Sequence, residues 1–410
     1  MKNILVVCEA MGVNGTSAGI VSSTFIKLLH ESGHKVTVIT RTNFDGDAVW
    51  LPKEIIIKKY NLSVERKTFI DKIPKVKAIP IYVTGFTNSV RYNKQLYKNI
   101  LAKELKENQY DLIYALAAGD SFVPYFALSE MKLDIPYFVN IHDPYPKHIY
   151  PEPYKLPKNH INSILERKFR KVLDKAKGIS FPSQFLMEDM ANTFSMISSK
   201  GFVIPHIGTL LPHLPKEAGD DFEALDRSKI NIIHAGTLLG PRNPKFLLEA
   251  IAALNNENIN FLNNVSFTFI GSVNKGLKEI INKVSLTNVH FITKRLSYQK
   301  SLDLIAQSDA SFVIEAIADF SPFLPGKVAD IAFAEKPIID LSPKNSEVRR
   351  LLGPAYPYQC ELDDVEAIKV VLKQFYNDHI NSTIKIDSII KLKQYLSIEH
   401  NSKIVNKHFN

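Results

Sequence analysis

The sequence predicts an α/β protein built from two doubly wound, parallel-sheet domains in tandem, facing a central cleft. Three observations carry that prediction. The chain has 410 residues, more than one ordinary hydrophobic core accommodates, so two domains of roughly 200 residues are expected. Short apolar runs lacking polar alternation are separated by helical patterns, as in a parallel sheet covered on both faces. The alternation breaks once, in "HIGTLLPHLPKEAGDDFEALDRS" at 206–228, and then restarts. That stretch is rich in Pro, Gly and acid and reads as a linker. The expected organisation is a first domain over 1–205, a linker over 206–228 and a second domain over 229–385. A C-terminal helix, 386–410, is expected to pack back on the first domain.

The elements follow in order. "NILVV" is a strand, and "SAGIVSSTFIKLLHES" is a helix stopped by Gly33. "KVTVIT", "DLIYAL", "PYFVNI", "GISF" and "GFVIP" continue as strands with helices between them. After the linker come strand "INIIHAG", helix "PKFLLEAIAALNNE", strand "VSFTFIGS", helix "GLKEIINKVS" and strand "VHFIT". Helix "SYQKSLDLIAQS", strand "ASFVIEA", helix "KVADIAFAE" and strand "KPIIDLS" complete the second domain. Ligands of such sheets bind beyond the carboxyl ends of the strands, so the loops there are the places to look for chemistry.

Composition excludes several classes. A hydrophobic content of 45% with 23% charged residues is that of a globular protein, not a disordered one. No run approaches the roughly 20 apolar residues of a membrane-spanning helix. The N-terminus reads as a first strand, not a leader. Cys8 and Cys360 are far apart and lack metal-type spacing, as expected of two reduced thiols in a cytoplasmic protein. The net charge is +9, and residues 51–110 hold 13 Lys/Arg against 5 Asp/Glu, 13 − 5 = +8. Apolar and aromatic residues are interleaved there. This suits peripheral contact with an anionic inner-membrane surface. Solvated helix faces are an equal reading, and nucleic acid is disfavoured.

Candidate site residues lie after the strands. Gly12 and Gly15, in "CEAMGVNGTSAG", allow backbone N–H groups to approach an anion at a helix start; taken singly, each reads first as a turn residue. The spacing is not that of a dinucleotide fingerprint, and the second strand ends in Arg41 instead of an acid, which disfavours a dehydrogenase. His142 and Asp143, in "NIHDPYP", are placed to position or deprotonate a hydroxyl; a structural histidine in a Pro-rich turn is the alternative. Arg242, in "HAGTLLGPRNP", offers a planar fork to phosphate, or is a surface arginine. Lys327 opens a helix, where the macrodipole disfavours a cation unless an anion sits there too. Asp330 follows at i+3 and suits a sugar diol; an ordinary i, i+3 ion pair is the alternative. "DGD" at 45–47 is read as a coincidental match to an Asp-x-Asp motif, and no metal site is expected.

The order and spacing of "GVNGTSAG", "SGHKVTVIT", "IPYFVNIHD", "SFPSQF", "VIPHIG", "HAGTLLGPRNP" and "SPFLPGKVADIAFAEKPII" resemble the retaining GT-B glycosyltransferases, the family that includes capsule, O-antigen and mannosyl transferases. The resemblance spans nearly the whole chain. It implies two Rossmann-like domains, a nucleotide diphosphate sugar as donor and no cofactor. It also implies retention of configuration and a glycan or lipid-linked glycan acceptor. By resemblance, Arg242 and Lys327 are diphosphate ligands, Asp330 the ribose acid, His142 the histidine near donor sugar and acceptor, and Gly15 the loop glycine facing the phosphate. The chain departs from the pattern at several points. Pro322 stands where the first Glu of a Glu-x7-Glu pair is expected, and Glu315 lies 15 positions before Asp330, the wrong spacing. Thr237 replaces a phosphate-binding Arg, and Glu335 replaces a glycine. Ser321 and nearby amides are expected to supply the lost contacts. The expected activity is metal-independent glycosyl transfer in bacterial surface polysaccharide synthesis. The alternatives are a nucleotide-sugar epimerase of the same fold or a non-catalytic subunit.

Overall fold

The computed structural model describes residues 1–12, 17–41, 51–61, 74–119, 121–208, 225–238, 240–272, 279, 286–294 and 296–409. Gly15, the Asp45–Asp47 motif, most of the linker and most of the expected helix "GLKEIINKVS" lie outside them. The chain divides into two compact units, Met1–Ile207 with Ile398–Asn410, and Gly208–Ser397.

The first unit holds a seven-stranded sheet of β1 (Asn3–Cys8), β2 (Lys35–Arg41), β3 (Ile56–Tyr60), β4 (Leu112–Leu116), β5 (Tyr137–Asn140), β6 (Gly178–Phe181) and β7 (Gly201–Val203). Its order is β3-β2-β1-β4-β5-β6-β7, all parallel. The winding reverses between β1 and β4, which makes the carboxyl ends of these two strands the switch point. From Ile4 onward β1 is apolar because both of its faces are covered, and Ile4 to Cys8 are wholly buried. One face packs Leu5, Val7, Ile39, Ile113 and Ala115 against Tyr97, Leu101 and Phe126 from helices Asn88–Glu107 and Val123–Glu130. On the helix Ile398–Phe409, the Phe409 ring lies 4.9 Å from Phe138 and 5.6 Å from Tyr114.

The second unit holds a six-stranded parallel sheet of β8 (Ile230–Ala235), β9 (Val265–Ile270), β10 (Val289–Ile292), β11 (Ala310–Ile314), β13 (Ile338–Leu341) and β15 (Gln359–Cys360). The order is β10-β9-β8-β11-β13-β15, with its switch point between β8 and β11. A two-stranded pair, β12 (Phe320–Ser321) with β14 (Asn345–Ser346), stands beside it. Together the units are two doubly wound α/β domains, as expected.

Some elements differ from the sequence reading. β3 is a half-exposed strand carrying Lys58 and Lys59, so it lacks an apolar signal. β12, β14 and β15 are two residues long, too short for any periodicity. The 386–410 tail is two helices, Asp387–Tyr395 in the second unit and Ile398–Phe409 in the first. The break falls at Leu396–Ser397, where Ser397 donates to the Gln394 carbonyl instead of continuing the helix. Cys8 and Cys360 are free and buried, and burial pushes both thiols up to about 12.

Candidate functional site

In the second unit the charged side chains converge at the switch point. His234 is near the carboxyl end of β8 and only 1% exposed. Glu315 follows β11 directly, is 1% exposed, and is fixed by its N–H donating to the Leu341 carbonyl at 3.0 Å. Arg242 stands in the loop between β8 and helix Lys245–Glu257. One of its terminal nitrogens is 3.2 Å from Oε1 and 3.3 Å from Oε2 of Glu315. Ser321 donates to Glu315 Oε2 at 3.3 Å. Lys327, half-buried at the start of helix Lys327–Phe333, has its Nζ 2.6 Å from His234 Nε2.

The electrostatics follow from burial. Burial pushes Glu315 upward, while Arg242 and Lys327 pull it back. Burial and then the Arg242 guanidinium lower Lys327 to about 7, against Glu315. Burial, then Lys327 and Arg242, hold His234 well below the usual range. A neutral imidazole therefore accepts from the ammonium. With Lys327 charged, it and Arg242 both act on the Glu315 carboxylate.

The backbone beside Lys327 is stripped of side chains. Gly236 and Gly271, just past β8 and β9, have φ of 141° and 137°. A Cβ on Gly271 would meet the Gly236 carbonyl oxygen at 2.4 Å, and one on Gly236 would lie 4.0 Å from Lys327 Nζ. Only glycine satisfies both positions.

Asp330 has a different partner from the one its spacing suggests. Tyr298 donates to its Oδ1 at 2.6 Å. Burial raises Asp330 to about 7, with Tyr298 pulling it down. Among the described residues Lys327 and Asp330 form no ion pair; each is held by a side chain from another element. Thr237 is exposed, its Oγ1 3.2 Å from Ser272 Oγ.

In the first unit His142 follows β5 and lies 5.5 Å, centroid to centroid, from the His206 ring. Neither ring nitrogen has a hydrogen-bond partner among the described residues. Burial and then His206 lower it to about 3. It is therefore neutral at physiological pH and suited to hydrogen bonding, too weak a base to hold a proton. Asp143 is half-buried beside it.

Arg242, Lys327 and Ser321 are thus brought to one place, whereas Asp330 and Thr237 have partners of their own. Glu315 and His234 were not singled out from sequence. Glu315 lies at the wrong spacing from Asp330 for a Glu-x7-Glu pair. The available signal was its position, a carboxylate immediately after the buried run "FVI" that ends β11. A groove of about 920 Å³, lined by residues such as Asp134, Tyr137 and Lys177, is at the opposite, amino ends of the first unit's strands. Among the described residues no group of three or more His, Cys, Asp or Glu could hold a metal, and no helix is long and apolar enough to cross a membrane.

Residues 18–207 match the family model Glycosyltransferase Family 4. No curated protein matches the chain. Among solved structures, the chain is similar to a glycosyltransferase from Rickettsia africae ESF-5, with TM-score 0.64 and 13% identity, over 100% of this chain and 98% of that one. It is similar to sucrose-phosphate synthase from Thermosynechococcus elongatus, with TM-score 0.66 and 11% identity, over 99% and 98%. It is also similar to Anabaena HepE in complex with UDP and glucose, with TM-score 0.61 and 11% identity, over 99% of each chain.

Proposed function

We propose, for a chain whose fold is GT-B and whose residues 18–207 match the glycosyltransferase family 4 model, that it moves a sugar from a nucleotide diphosphate sugar to a hydroxyl of a glycan or lipid-linked glycan. The observation that carries this reading is the Arg242–Glu315, Lys327–His234 cluster beside two side-chain-free strand ends. It suits a diphosphate. The likeness to a protein solved with UDP and glucose supports the same reading.

In the reaction the bond from the anomeric carbon to the leaving phosphate oxygen breaks and a bond to the acceptor oxygen forms. Negative charge gathers on the diphosphate. Arg242 and charged Lys327 stabilise it, a preorganised electrostatic contribution of the kind that usually dominates. Two cations perform the neutralisation that a divalent metal supplies elsewhere. Asp330, ionised and held by Tyr298, accepts from the ribose diol. Neutral His142 hydrogen-bonds the sugar or acceptor. Retention is what the family resemblance implies; with Glu315 tied to Arg242 and Ser321, we assign same-face attack, the acceptor proton passing to the leaving phosphate oxygen.

We infer an acceptor at an anionic inner-membrane surface, in bacterial surface polysaccharide synthesis. Four lysines of the basic 51–110 segment, Lys58, Lys94, Lys98 and Lys103, have acid partners, so not all of its charge is free for lipid. Supporting the reading, Ile79, Tyr82 and Val83 stand 58%, 62% and 67% exposed on helix Pro74–Thr84. Lys72 lies outside the described residues, as do the side chains of Lys75 and Lys77. Salt-sensitive sedimentation with anionic vesicles, lost in Val83→Asp, tests this; binding unchanged by salt and substitution counts against it.

The deciding experiment is thermal-shift screening against UDP, GDP, ADP, CMP and dTDP sugars with EDTA present. One diphosphate sugar stabilises the protein, and Lys327→Ala abolishes the shift. No stabilisation by any donor refutes the reading, and binding without consumption favours a non-catalytic subunit.

A further inference from the structure

The first unit has its own cluster of buried polar side chains at the switch point between β1 and β4. Leu5, Val7, Ile39, Ala115 and Tyr97 belong to one core cluster. Val7 is in register with Ile39 on one side and Ala115 on the other. Two residues further along each strand, the same face carries Glu9, Arg41 and Ala117. An apolar stripe thus ends in a carboxylate beside a guanidinium.

Glu9 is 2% exposed. Its Oε1 accepts from Ser121 Oγ at 3.0 Å, from the loop that follows β4. Three buried polar atoms around it have no hydrogen-bond partner among the described residues: Glu9 Oε2, Arg41 Nε and the Tyr97 hydroxyl. Such atoms are rare in native proteins, and each costs of order 1–3 kcal/mol to leave unmet. Three in one neighbourhood, at the position where doubly wound sheets bind ligands, are unmet capacity for a guest. Burial pushes Glu9 up to about 7 against Ser121 and Arg41, and burial followed by the Glu9 charge pushes Tyr97 up. The three groups therefore act on one another.

The geometry points to a hydroxyl-binding subsite in which Glu9, Arg41, Tyr97 and Ser121 hold an uncharged polyhydroxy unit, the accepting sugar. One carboxylate and one guanidinium side by side disfavour both a phosphate and an ammonium. A vicinal diol both donates and accepts, matching an acceptor oxygen, an N–H donor and a phenol. This assignment rests on the proposed transfer reaction, because it makes the uncharged sugar the acceptor.

The test is ligand-observed saturation-transfer NMR on the full chain, well above pH 7 so that Glu9 is ionised. The probes are the methyl α-glycosides of glucose, mannose and galactose, with glucose 6-phosphate as the charged comparison. Donor binding is measured in parallel by calorimetry. The expected result is binding of at least one methyl glycoside, weakened roughly tenfold or more in Glu9→Gln and also weakened in Ser121→Ala, with donor affinity unchanged in both variants. Unchanged donor affinity shows that the variants fold. No methyl glycoside bound by the parent protein, binding indifferent to both substitutions, or binding of glucose 6-phosphate alone overturns the subsite. Glycoside binding without donor binding overturns the transferase reading instead and leaves the subsite standing.

Discussion

The Lys327 ammonium and the His234 imidazole meet at 2.6 Å, two bases sharing one hydrogen bond inside the second domain. Lys327 has a folded value of about 7, below the roughly 10.4 of an unfolded lysine. Its contribution to stability is therefore full above the unfolded value and is lost as pH falls through about 7. Unfolding free energy rises with pH across that window, and Lys327→Met flattens the slope. Binding a diphosphate restores the charge, so calorimetry in buffers of different ionisation enthalpy should show proton uptake above pH 7. Uptake that persists in Lys327→Met would assign the proton elsewhere.

Glu315→Ala should be among the most destabilising single changes in the second domain. It leaves a largely buried guanidinium without its carboxylate, which costs about 2–4 kcal/mol, less than for a fully buried pair because Arg242 is 22% exposed. The check is a lower denaturant midpoint with the same slope. Replacing Arg242 with Met in the same protein should recover part of the loss.

Asp330→Asn should be more stable than the parent above pH 7 and weaker in donor binding. The folded value of Asp330 is raised to about 7. Its contribution is thus present in full below the unfolded value near 3.9 and is lost as pH rises through 7. Asparagine keeps an acceptor for Tyr298 and removes the half-buried charge, a gain of about 1–2 kcal/mol after solvent screening. Equal pH profiles for the two proteins would mean that Asp330 is not perturbed.

Glu335→Gly should stabilise the protein by about 0.5–1 kcal/mol, read as an increase in denaturant midpoint. Glu335 has φ of 53°, the left-handed region. Its ion pair with Lys393, at 2.6 Å, joins two side chains 52% and 31% exposed and is worth little. A loss of stability would show that this pair outweighs the backbone strain.

Much of the fold was legible because β1, β4, β8 and β11 are mostly apolar and lack polar alternation, a signal that needs no context. Arg242, Lys327 and Ser321 were legible by motif. Glu315 and His234 were not, because what makes them notable is burial beside a cation, and spacing along the chain carries no burial. Lys327 and Asp330 show the converse. Their i, i+3 spacing suggests mutual contact, yet His234 on β8 and Tyr298 on another helix claim them separately. Glu9 was hidden by its neighbours, since "LVVCEA" reads as a strand end and only the register sets it beside Arg41.

The helix Ile398–Phe409 belongs to the first unit, although the whole of Gly208–Ser397 separates it from the rest. Its Phe409 covers Tyr114 and Phe138, and His408 stacks on Phe202 at 4.0 Å. On the ribosome the first unit is therefore finished only after the second has been synthesised. Its aromatic surface stays bare while the second unit is still being synthesised, and an arrest before Ile398 leaves a nascent chain with an uncovered, adhesive patch for chaperones to shield.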